Sequence, residues 1–165
     1  MADGAPNSIF LQLDGLTGTS RESNHEEWIE VISASWGGHN PVNRGTDGNV
    51  TAGSVSFQSL ALVKTVDSTT PVLLDKMANG KSIAKGKLEV CRQQDGMVPI
   101  LTYELTTVFI SAIQLDAMSG DASVQNEQIM LDFQEVKAVY SKQNPDGTAD
   151  ADTEFVWKIG QNKQG

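Results

Sequence analysis

The stretch that decides the fold runs from His25 to Gly53 and reads HEEWIEVISASWGGHNPVNRGTDGNVTAG. Its first part, Trp28 to Trp36, is rich in β-branched and aromatic residues, which is typical of a strand in a core. Its second part, Gly38 to Gly53, is rich in Gly and Asn and has no apolar stripe, which predicts a long loop. Because loops of this length are uncommon inside compact domains unless they contact something, the loop is expected to face a partner.

Large apolar side chains occur in both phases of this strand. Ile29 and Val31 share one face, whereas Trp28, Ile32 and Trp36 share the other. Since successive side chains of a strand point to opposite faces, both sides of the sheet need a cover. A barrel interior covers one side, and a second copy of the chain is the economical cover for the other. These residues therefore predict a homo-oligomer.

The rest of the chain is predicted to be almost entirely β. The alternation of apolar residues predicts strands at Ser8–Leu13, Ser54–Val66, Gly86–Gln93, Met97–Asp116, Glu127–Tyr140 and Thr153–Ile159. Changes of apolar phase near Gln58–Leu60 and within Glu127–Tyr140 predict bulges, which closing barrels require. One helix is predicted from Thr70 to Ala78, with Pro71 in its first turn and Asn79-Gly80 after its end.

Turn signals and strand lengths complete the predicted architecture. Gln94-Asp95-Gly96 and Asn144-Pro145-Asp146-Gly147 are turn sequences. The strand Met97–Asp116 is long enough to bend and to serve both edges of a barrel, with Leu101, Leu105 and Phe109 in one phase. We therefore predict an all-β fold, a single antiparallel β-barrel domain over residues 1–165 with one short α-helix.

Composition excludes several function classes. The 165 residues include 12 basic and 21 acidic side chains, which gives a net charge of −9. This acidic excess disfavours binding to nucleic acid and to anionic membranes. No apolar run approaches the ~20 residues that span a bilayer, and Met1 to Asn7 lacks the features of a signal peptide. Cys91 is the only cysteine, so we expect no intrachain disulfide and synthesis in a reducing cytoplasm.

The sequence contains no recognisable catalytic or metal-binding motif. His25 and His39 are the only histidines, and no cysteine lies near either at the spacing of a metal site. We therefore interpret His25-Glu26-Glu27 as a solvated strand entry and Cys91 as a packed strand cysteine. No serine has the context of a catalytic nucleophile. The expectation is a protein that is not an enzyme, with no catalytic residues, no metal and no cofactor.

A group of aspartates near the C-terminus loosely resembles a calcium-binding loop. Asp146, Asp150 and Asp152 alternate with small residues but lack the spacing and the closing glutamate of a calcium-binding loop. A solvated hairpin is the better interpretation of this segment.

Several stretches stand in a characteristic order along the chain. They are Ser8–Leu13 with the Gly15/Gly18 turn, His25–Val31, Ser35-Trp36-Gly37, Val63–Pro71, Gly86–Arg92, Thr102–Ile113, Glu127–Tyr140 and Trp157. Together they resemble the haemolysin-coregulated protein (Hcp) family over nearly the whole chain. The resemblance implies a β-barrel protomer with one helix that assembles into a hexameric ring with a wide central channel.

The same resemblance implies a structural role in a bacterial type VI secretion system. Rings of this family stack into an inner tube below a VgrG-type spike, and a contracting sheath propels the tube out of the cell. The implied path leads from the bacterial cytoplasm to the medium or to a target cell, without a signal peptide. The ring lumen also carries and protects small effector proteins, and the family's lumen-facing serine corresponds to Ser35 in the Ser-Trp-Gly motif.

By this resemblance, the loop Gly38–Gly53 reaches toward a neighbouring protomer or ring. Its polar residues are the candidates for contacts between stacked rings: Asn40, Asn43, Arg44, Asp47 and Asn49. The alternative, from another class, is a monomeric ligand-binding barrel of the lipocalin or streptavidin type. That alternative requires a pocket inside the barrel and leaves the apolar outer face unexplained. A glycosidase is a third and weaker possibility, because no suitably spaced carboxylate pair is evident.

Overall fold

The computed structural model describes residues 7–94, 96–120, 125–142 and 152–165. Helix α1 spans Thr70–Ala78, and a 3-10 turn spans Ile159–Gln161. The strands are β1 (Asn7–Leu13), β2 (Ile29–Ser35), β3 (Gly38–His39), β4 (Val42–Arg44), β5 (Val50–Ala52), β6 (Ser56–Phe57), β7 (Leu60–Thr65), β8 (Ile83–Gln94), β9 (Gly96–Asp116), β10 (Asn126–Tyr140), β11 (Thr153–Lys158) and β12 (Lys163–Gln164). No helix in these ranges has the length and apolar character needed to cross a membrane.

The main sheet closes into an antiparallel barrel. Its strands follow the order β10, β7, β2, β1, β8 and β9, and β9 then pairs with β10 again. The long strand β9 thus pairs with β8 along one edge and with β10 along the other, as predicted from its length. Strands β11 and β12 extend the sheet beyond β10, outside the closed barrel. The predicted all-β barrel with one short helix is confirmed.

Apolar side chains fill the interior of the barrel. The most deeply buried include Leu11, Leu13, Ile29, Leu60, Leu62, Leu88, Leu105, Val108, Ile129 and Leu131. Helix α1 adds the fully buried Leu73 to this core, and Met77 packs against it. The helix has Pro71 in its first turn and ends at Ala78, with Asn79 as its C-cap, as the sequence predicted. Burial of each such leucine or isoleucine contributes about 1.5–3 kcal/mol, so the core is the main source of stability.

A bulge in β2 changes which residues face the core. Val31 pairs with Lys64, but Ser33 pairs with Val63, so Ile32 is an extra residue in β2. Because one extra residue reverses the phase of a strand, Trp36 lies on the same side as Val31 and packs against the core. Ile32 is exposed instead. The prediction that Trp36 shares a face with Ile32 is therefore wrong.

The apolar phase predicted for β9 holds as far as Leu105. Beyond it, Val108 and Ile110 are buried, whereas Phe109 is exposed. The predicted phase returns at Ile113, which packs against the core. Thr107 has a positive φ of 53°, which breaks the alternation of the strand. Ser111 is a further extra residue, because Ile110 and Ala112 pair with consecutive residues of β10. Both irregularities depend on the neighbouring strand, and neither was evident in the sequence of β9.

Strand β10 and the segment before β7 show the predicted changes of phase. In β10 the alternation of buried and exposed residues changes phase between Phe133 and Val136. The pairing register of β10 with β9 is the same on both sides of this change. The predicted strand Ser54–Val66 consists of β6 and β7, which are separated at Gln58-Ser59, where the bend was expected. Strand β8 begins at Ile83, earlier than the predicted Gly86.

Some predicted features lie outside the described residues. They are Met1–Pro6, Asp95 in the first predicted turn, the second predicted turn (Asn144–Gly147), and the aspartates Asp146 and Asp150. Asp152 is described and is exposed.

The segment 14–28 covers part of the outer face of the barrel. Glu89 and Cys91 alternate along β8 with Leu88, which faces the core, so they point outward. His25 lies against them and is buried, with 1% of its surface exposed. The prediction that His25 belongs to a solvated strand entry is therefore wrong, although Glu26 and Glu27 are exposed. The outer apolar surface that suggested a partner is covered here by the chain itself.

Gly18 fixes the position of this segment. Its N–H donates to the Glu27 carbonyl at 2.7 Å, and a Cβ at this position would lie 2.3 Å from the Trp28 carbonyl oxygen. Only glycine permits this close approach of two backbones.

Candidate functional site

Ser35 is the last residue of β2 and is exposed on the outside of the barrel. It pairs with Ala61 of β7. The residues on either side, Ala34 and Trp36, pack against the core, which directs the Ser35 hydroxyl outward. The geometry thus places Ser35 on a surface where it can contact another molecule.

A surface of uncharged side chains surrounds Ser35. We call it the outer wall, and it comprises Ser33, Ser35, Ala61, Val63, Gln128 and Met130. These residues form two rows across β2, β7 and β10, since Ala61 pairs with both Ser35 and Met130, and Val63 pairs with both Ser33 and Gln128. These six side chains carry no charge, and the next residue after Met130 on the same face of β10 is Asp132, whose carboxylate accepts from the Ser59 hydroxyl. The outer wall therefore favours weak and adaptable contacts over tight binding of a charged ligand.

An aromatic cluster lies behind Ser35 and fixes the end of β2. Trp36 stacks on Phe57 at a ring separation of 5.0 Å and meets the edge of Tyr103 at 5.6 Å. Phe57 also contacts Phe155 and Trp157 of β11, at 6.4 and 6.2 Å. Such aromatic pairs contribute about 0.5–1.5 kcal/mol each beyond their buried area. The Ser-Trp-Gly motif thus anchors β2 through its tryptophan and exposes its serine.

The predicted loop contains a hairpin, which we call the arm (residues Val42–Ala52, formed by β4 and β5). Every residue of the arm is exposed. Its turn is held by Asp47, whose carboxylate accepts from the backbone N–H and the side-chain amide of Asn49 at 3.1 and 2.6 Å. These hydrogen bonds from Asn49 lower the pKa of Asp47. Two of the five predicted stacking residues, Asp47 and Asn49, therefore shape the turn.

One face of the arm is mainly apolar, with Arg44 as its only charged side chain, which the sequence reasoning missed. Val42 pairs with Ala52 and Arg44 pairs with Val50, so these four side chains share a face. Val42 and Val50 are 58% and 55% exposed. Asn43 lies on the opposite face. A partial signal was available in the alternation of apolar and polar residues in Val50-Thr51-Ala52.

A buried ion-pair network, the Lys64 cluster (Lys64, Asp67, Thr70 and Glu127), joins the barrel to the helix. The Lys64 ammonium is fully buried, ion-pairs with Glu127, and lies 3.0 Å from an Asp67 carboxylate oxygen. It also donates to the Thr65 carbonyl at 2.9 Å. The Thr70 hydroxyl donates to Glu127 at 2.8 Å. Because Thr70 begins α1, this network fastens the start of the helix to β7 and β10.

A second buried group, the His25 cluster (Glu22, His25, Glu89 and Cys91), lies under the segment 14–28. His25 Nδ1 is 2.5 Å from Glu22 Oε2, and His25 Nε2 is 2.6 Å from Glu89 Oε2. Cys91 Sγ is 3.6 Å from His25 Nε2. Burial, together with the negative charges of Glu89 and Glu22, raises the pKa of Cys91 to about 12. The predicted packed cysteine is confirmed, but its contact with a histidine was not predicted.

Comparison with known proteins identifies the family. The family model described as "Type VI secretion system effector, Hcp" matches residues 10–140. Protein hcp1 of Pseudomonas aeruginosa is 28% identical over 158 residues, which are 94% of this chain and 97% of that protein.

Solved structures of similar proteins share the fold. A structure described as a type six secretion system protein has a TM-score of 0.90 at 24% identity and covers 97% of this chain and 100% of its own. Hcp1 from Salmonella typhimurium has a TM-score of 0.77 at 23% identity, over 96% of this chain and 99% of its own. The likeness of these structures shows the fold, and the family model adds the sequence match. The chain belongs to the Hcp family of type VI secretion proteins, a structural secretion family.

Proposed function

We propose that this protein forms hexameric rings that stack into the inner tube of a type VI secretion system. In this proposal the tube is exported from the bacterial cytoplasm to the medium or to a target cell, and small effector proteins bind in the ring lumen. A VgrG-type spike and a contracting sheath are the proposed partners at the ends and the outside of the tube. Family membership supports the proposal, and the exposed apolar face of the arm is the observation that carries it.

The arm needs a partner because its apolar face has no cover within one chain. Val42 and Val50 are more than half exposed on a short hairpin that pairs with no other strand of the described residues. Exposed valines of this kind are stabilised by packing against another surface. In a homo-oligomer a second copy of the chain can supply that surface, so we assign the arm to contacts between protomers or rings.

The outer wall is the proposed surface of the lumen. Its six side chains are uncharged although the chain has a net charge of −9, and Ser35 lies in it beside Ala61. A neutral wall accommodates cargo proteins of different charge and also releases them. Ser35 is the proposed point of contact with effectors.

The alternative of a ligand-binding barrel has no support in the packing. Such a barrel needs an open interior, whereas leucine, isoleucine and valine side chains fill the interior of this one among the described residues. Contacts are therefore expected on the outside of the barrel.

Light scattering and negative-stain electron microscopy test the assembly. We expect a mass of about six times the 17.7 kDa of one chain, and ring-shaped particles with a central channel. A mass near that of one chain at moderate concentration would contradict the proposal.

Substitution Ser35→Gln tests the lumen contact. We expect the variant to form rings and to lose retention of co-expressed effectors in pull-down assays, because the longer side chain fills space on the outer wall. Ser82→Gln is the matched control, since Ser82 is also exposed but lies just before β8. If Ser35→Gln prevents ring formation, Ser35 belongs to an interface between protomers and the assignment is wrong.

A further inference from the structure

The His25 cluster contains three different types of metal ligand within a small volume. His25 Nε2, a Glu89 carboxylate oxygen and Cys91 Sγ lie within 4.8 Å of one another, and all three residues are buried. An imidazole nitrogen, a carboxylate oxygen and a thiolate sulfur are the ligands that Zn²⁺ uses in proteins. The three residues come from the segment 14–28 and from β8, so the site is formed only in the folded chain.

The distance between the two stronger ligands fits a tetrahedral zinc site. Zinc–nitrogen and zinc–sulfur bonds of about 2.0 and 2.3 Å place the two ligand atoms about 3.5 Å apart in tetrahedral geometry. His25 Nε2 and Cys91 Sγ are 3.6 Å apart. The Glu89 oxygen is 2.6 Å from Nε2, which is a hydrogen-bond distance, so its carboxylate has to withdraw by less than about 1 Å to bind the same ion.

Glu22 provides the support that metal-binding histidines usually have. Its carboxylate lies 2.5 Å from His25 Nδ1, on the far side of the ring from Glu89 and Cys91. A carboxylate on Nδ1 fixes the tautomer and orientation of the imidazole and strengthens Nε2 as a ligand. Phe10 stacks on the imidazole at 4.2 Å and holds the plane of the ring.

Charge and access are both compatible with a divalent cation. The cluster contains two carboxylates and the Cys91 thiol, and the ammonium of Lys87 lies 3.0 Å from Glu89 Oε1. The side chains of Glu22 and Lys87 are 19% and 39% exposed, so the cluster can be reached from solvent along one side. Without a metal, the cluster is a hydrogen-bond network that holds a histidine between two glutamates. That role explains the two short contacts of His25, but it does not require the cysteine.

We propose that His25 Nε2, Glu89 and Cys91 bind one Zn²⁺ ion per chain, with a water molecule as the fourth ligand and with Glu22 orienting the imidazole. On binding, the proton of the Cys91 thiol is released to solvent, together with the proton between His25 Nε2 and Glu89. The ion then takes the place of that proton between the segment 14–28 and β8. Its role is structural, since it ties a surface segment to the barrel. The proposal is independent of ring formation.

Cobalt substitution provides the direct test. Protein treated with a chelator and then dialysed is titrated with Co²⁺ and, in competition, with Zn²⁺. We expect one ion per chain, the visible absorption of four-coordinate cobalt, and a near-ultraviolet thiolate-to-cobalt band that Zn²⁺ abolishes. Absence of the thiolate band, or binding without a defined stoichiometry, would show that the cluster is a hydrogen-bond network only.

Two variants separate this site from surface binding. Cys91→Ser is expected to lose the thiolate band and to weaken Zn²⁺ binding more than about tenfold, because it removes one of three ligands. His39→Gln is the matched control, since the other histidine of the chain is exposed on β3, and it is expected to bind as the wild type does. Equal binding by Cys91→Ser and wild type would overturn the proposal.

Thermal unfolding of the wild type, with and without Zn²⁺, tests the proposal without a substitution. Because an ion that binds only the folded chain stabilises it, the unfolding midpoint is expected to be higher with Zn²⁺ than with chelator. The Cys91→Ser protein, compared in the same way, is expected to show a smaller rise. An unchanged wild-type midpoint at a saturating concentration of Zn²⁺ would contradict the proposal.

Discussion

The Lys64 cluster and the His25 cluster are both buried groups of charged side chains, but they differ in where their members come from. Lys64, Asp67 and Thr70 lie within seven consecutive residues, and only Glu127 is distant in sequence. In the His25 cluster, Glu22 is a near neighbour of His25, whereas Glu89 and Cys91 are 64 and 66 residues away. The first cluster is therefore largely local, and the second depends on how a surface segment packs on β8.

The two clusters also differ in chemistry. The Lys64 cluster consists of an ammonium surrounded by oxygen atoms, so the cation is supplied by the chain itself. The His25 cluster presents nitrogen, oxygen and sulfur atoms to a common point. A buried charge needs a partner in either case. An internal cation thus makes a fixed structural joint, whereas a mixed ligand set can accept an added ion.

The largest effect is expected at Lys64. Substitution Lys64→Met keeps most of the volume but leaves Asp67 and Glu127 buried without their cation, which is expected to lower the free energy of unfolding by about 3–5 kcal/mol. Urea unfolding measures this change. Lys81→Met is the control, because the ion pair of Lys81 with Asp75 is exposed, and a loss below about 1 kcal/mol is expected. Equal effects of the two variants would show that the Lys64 cluster does not fasten the helix to the barrel.

A smaller effect is expected at Glu89 in the His25 cluster. Substitution Glu89→Gln weakens its contacts with His25 and Lys87 at 2.6 and 3.0 Å. Loss of such charge-assisted hydrogen bonds is expected to cost about 1.5–3 kcal/mol. The measurement is urea unfolding in the presence of a chelator, which removes any contribution of bound metal. A loss as large as that of Lys64→Met would remove the distinction between the two clusters.

Gly18 tests whether the segment over β8 is held by its backbone. In Gly18→Ala the new methyl group meets the Trp28 carbonyl, which is part of the backbone and cannot rotate away. We expect a loss of about 1–3 kcal/mol in the free energy of unfolding. Gly160→Ala is the control, because a Cβ there meets no atom within 4 Å, and a change within about 0.5 kcal/mol is expected. Similar values for the two variants would contradict the close approach at Gly18.

Glu22 makes a smaller contribution that depends on pH. Partial burial raises the pKa of its carboxyl, but hydrogen bonds from His25 and from the Asn24 N–H outweigh burial and hold the pKa below its usual 4.5. A lowered pKa means that Glu22 stabilises the fold above pH 4.5 and that this stabilisation is lost as the pH falls further. Wild type is therefore expected to exceed Glu22→Gln in stability at pH 7, by less than Glu89→Gln loses. Urea unfolding below pH 4.5 is expected to show the difference vanish, and a difference that grows there would contradict this sign.

The arm is expected to contribute least to the stability of one chain. Val42→Asn combined with Val50→Asn changes two exposed side chains and is expected to leave the free energy of unfolding of a single chain within about 0.5 kcal/mol of wild type. Stacking of rings, measured by electron microscopy, is expected to be reduced. Val72→Asn is the control, because Val72 is also an exposed valine but lies on helix α1 and not on the arm. Normal stacking in the double variant would show that the apolar face of the arm is not an interface.

The sequence by itself determined the strands, the helix and much of the Lys64 cluster. These features depend on neighbours along the chain: the alternation of apolar residues in strands such as Ser8–Leu13, and Pro71 and Gly80 near the ends of the helix. Lys64 stands in an apolar strand only three residues before Asp67, so its burial beside a carboxylate was within reach of sequence reasoning.

The tertiary structure decided the rest. The extra residues Ile32 and Ser111 reverse the faces of their strands, and only pairing with the neighbouring strands reveals them. His25 meets Cys91 because the segment 14–28 packs on the outer face of β8, a contact over 66 residues that no local spacing encodes. The stretch from His25 to Gly53 thus predicted a wall strand and a partner-facing segment, while the contacts of His25 with Glu89 and Cys91 depended on packing between distant parts of the chain.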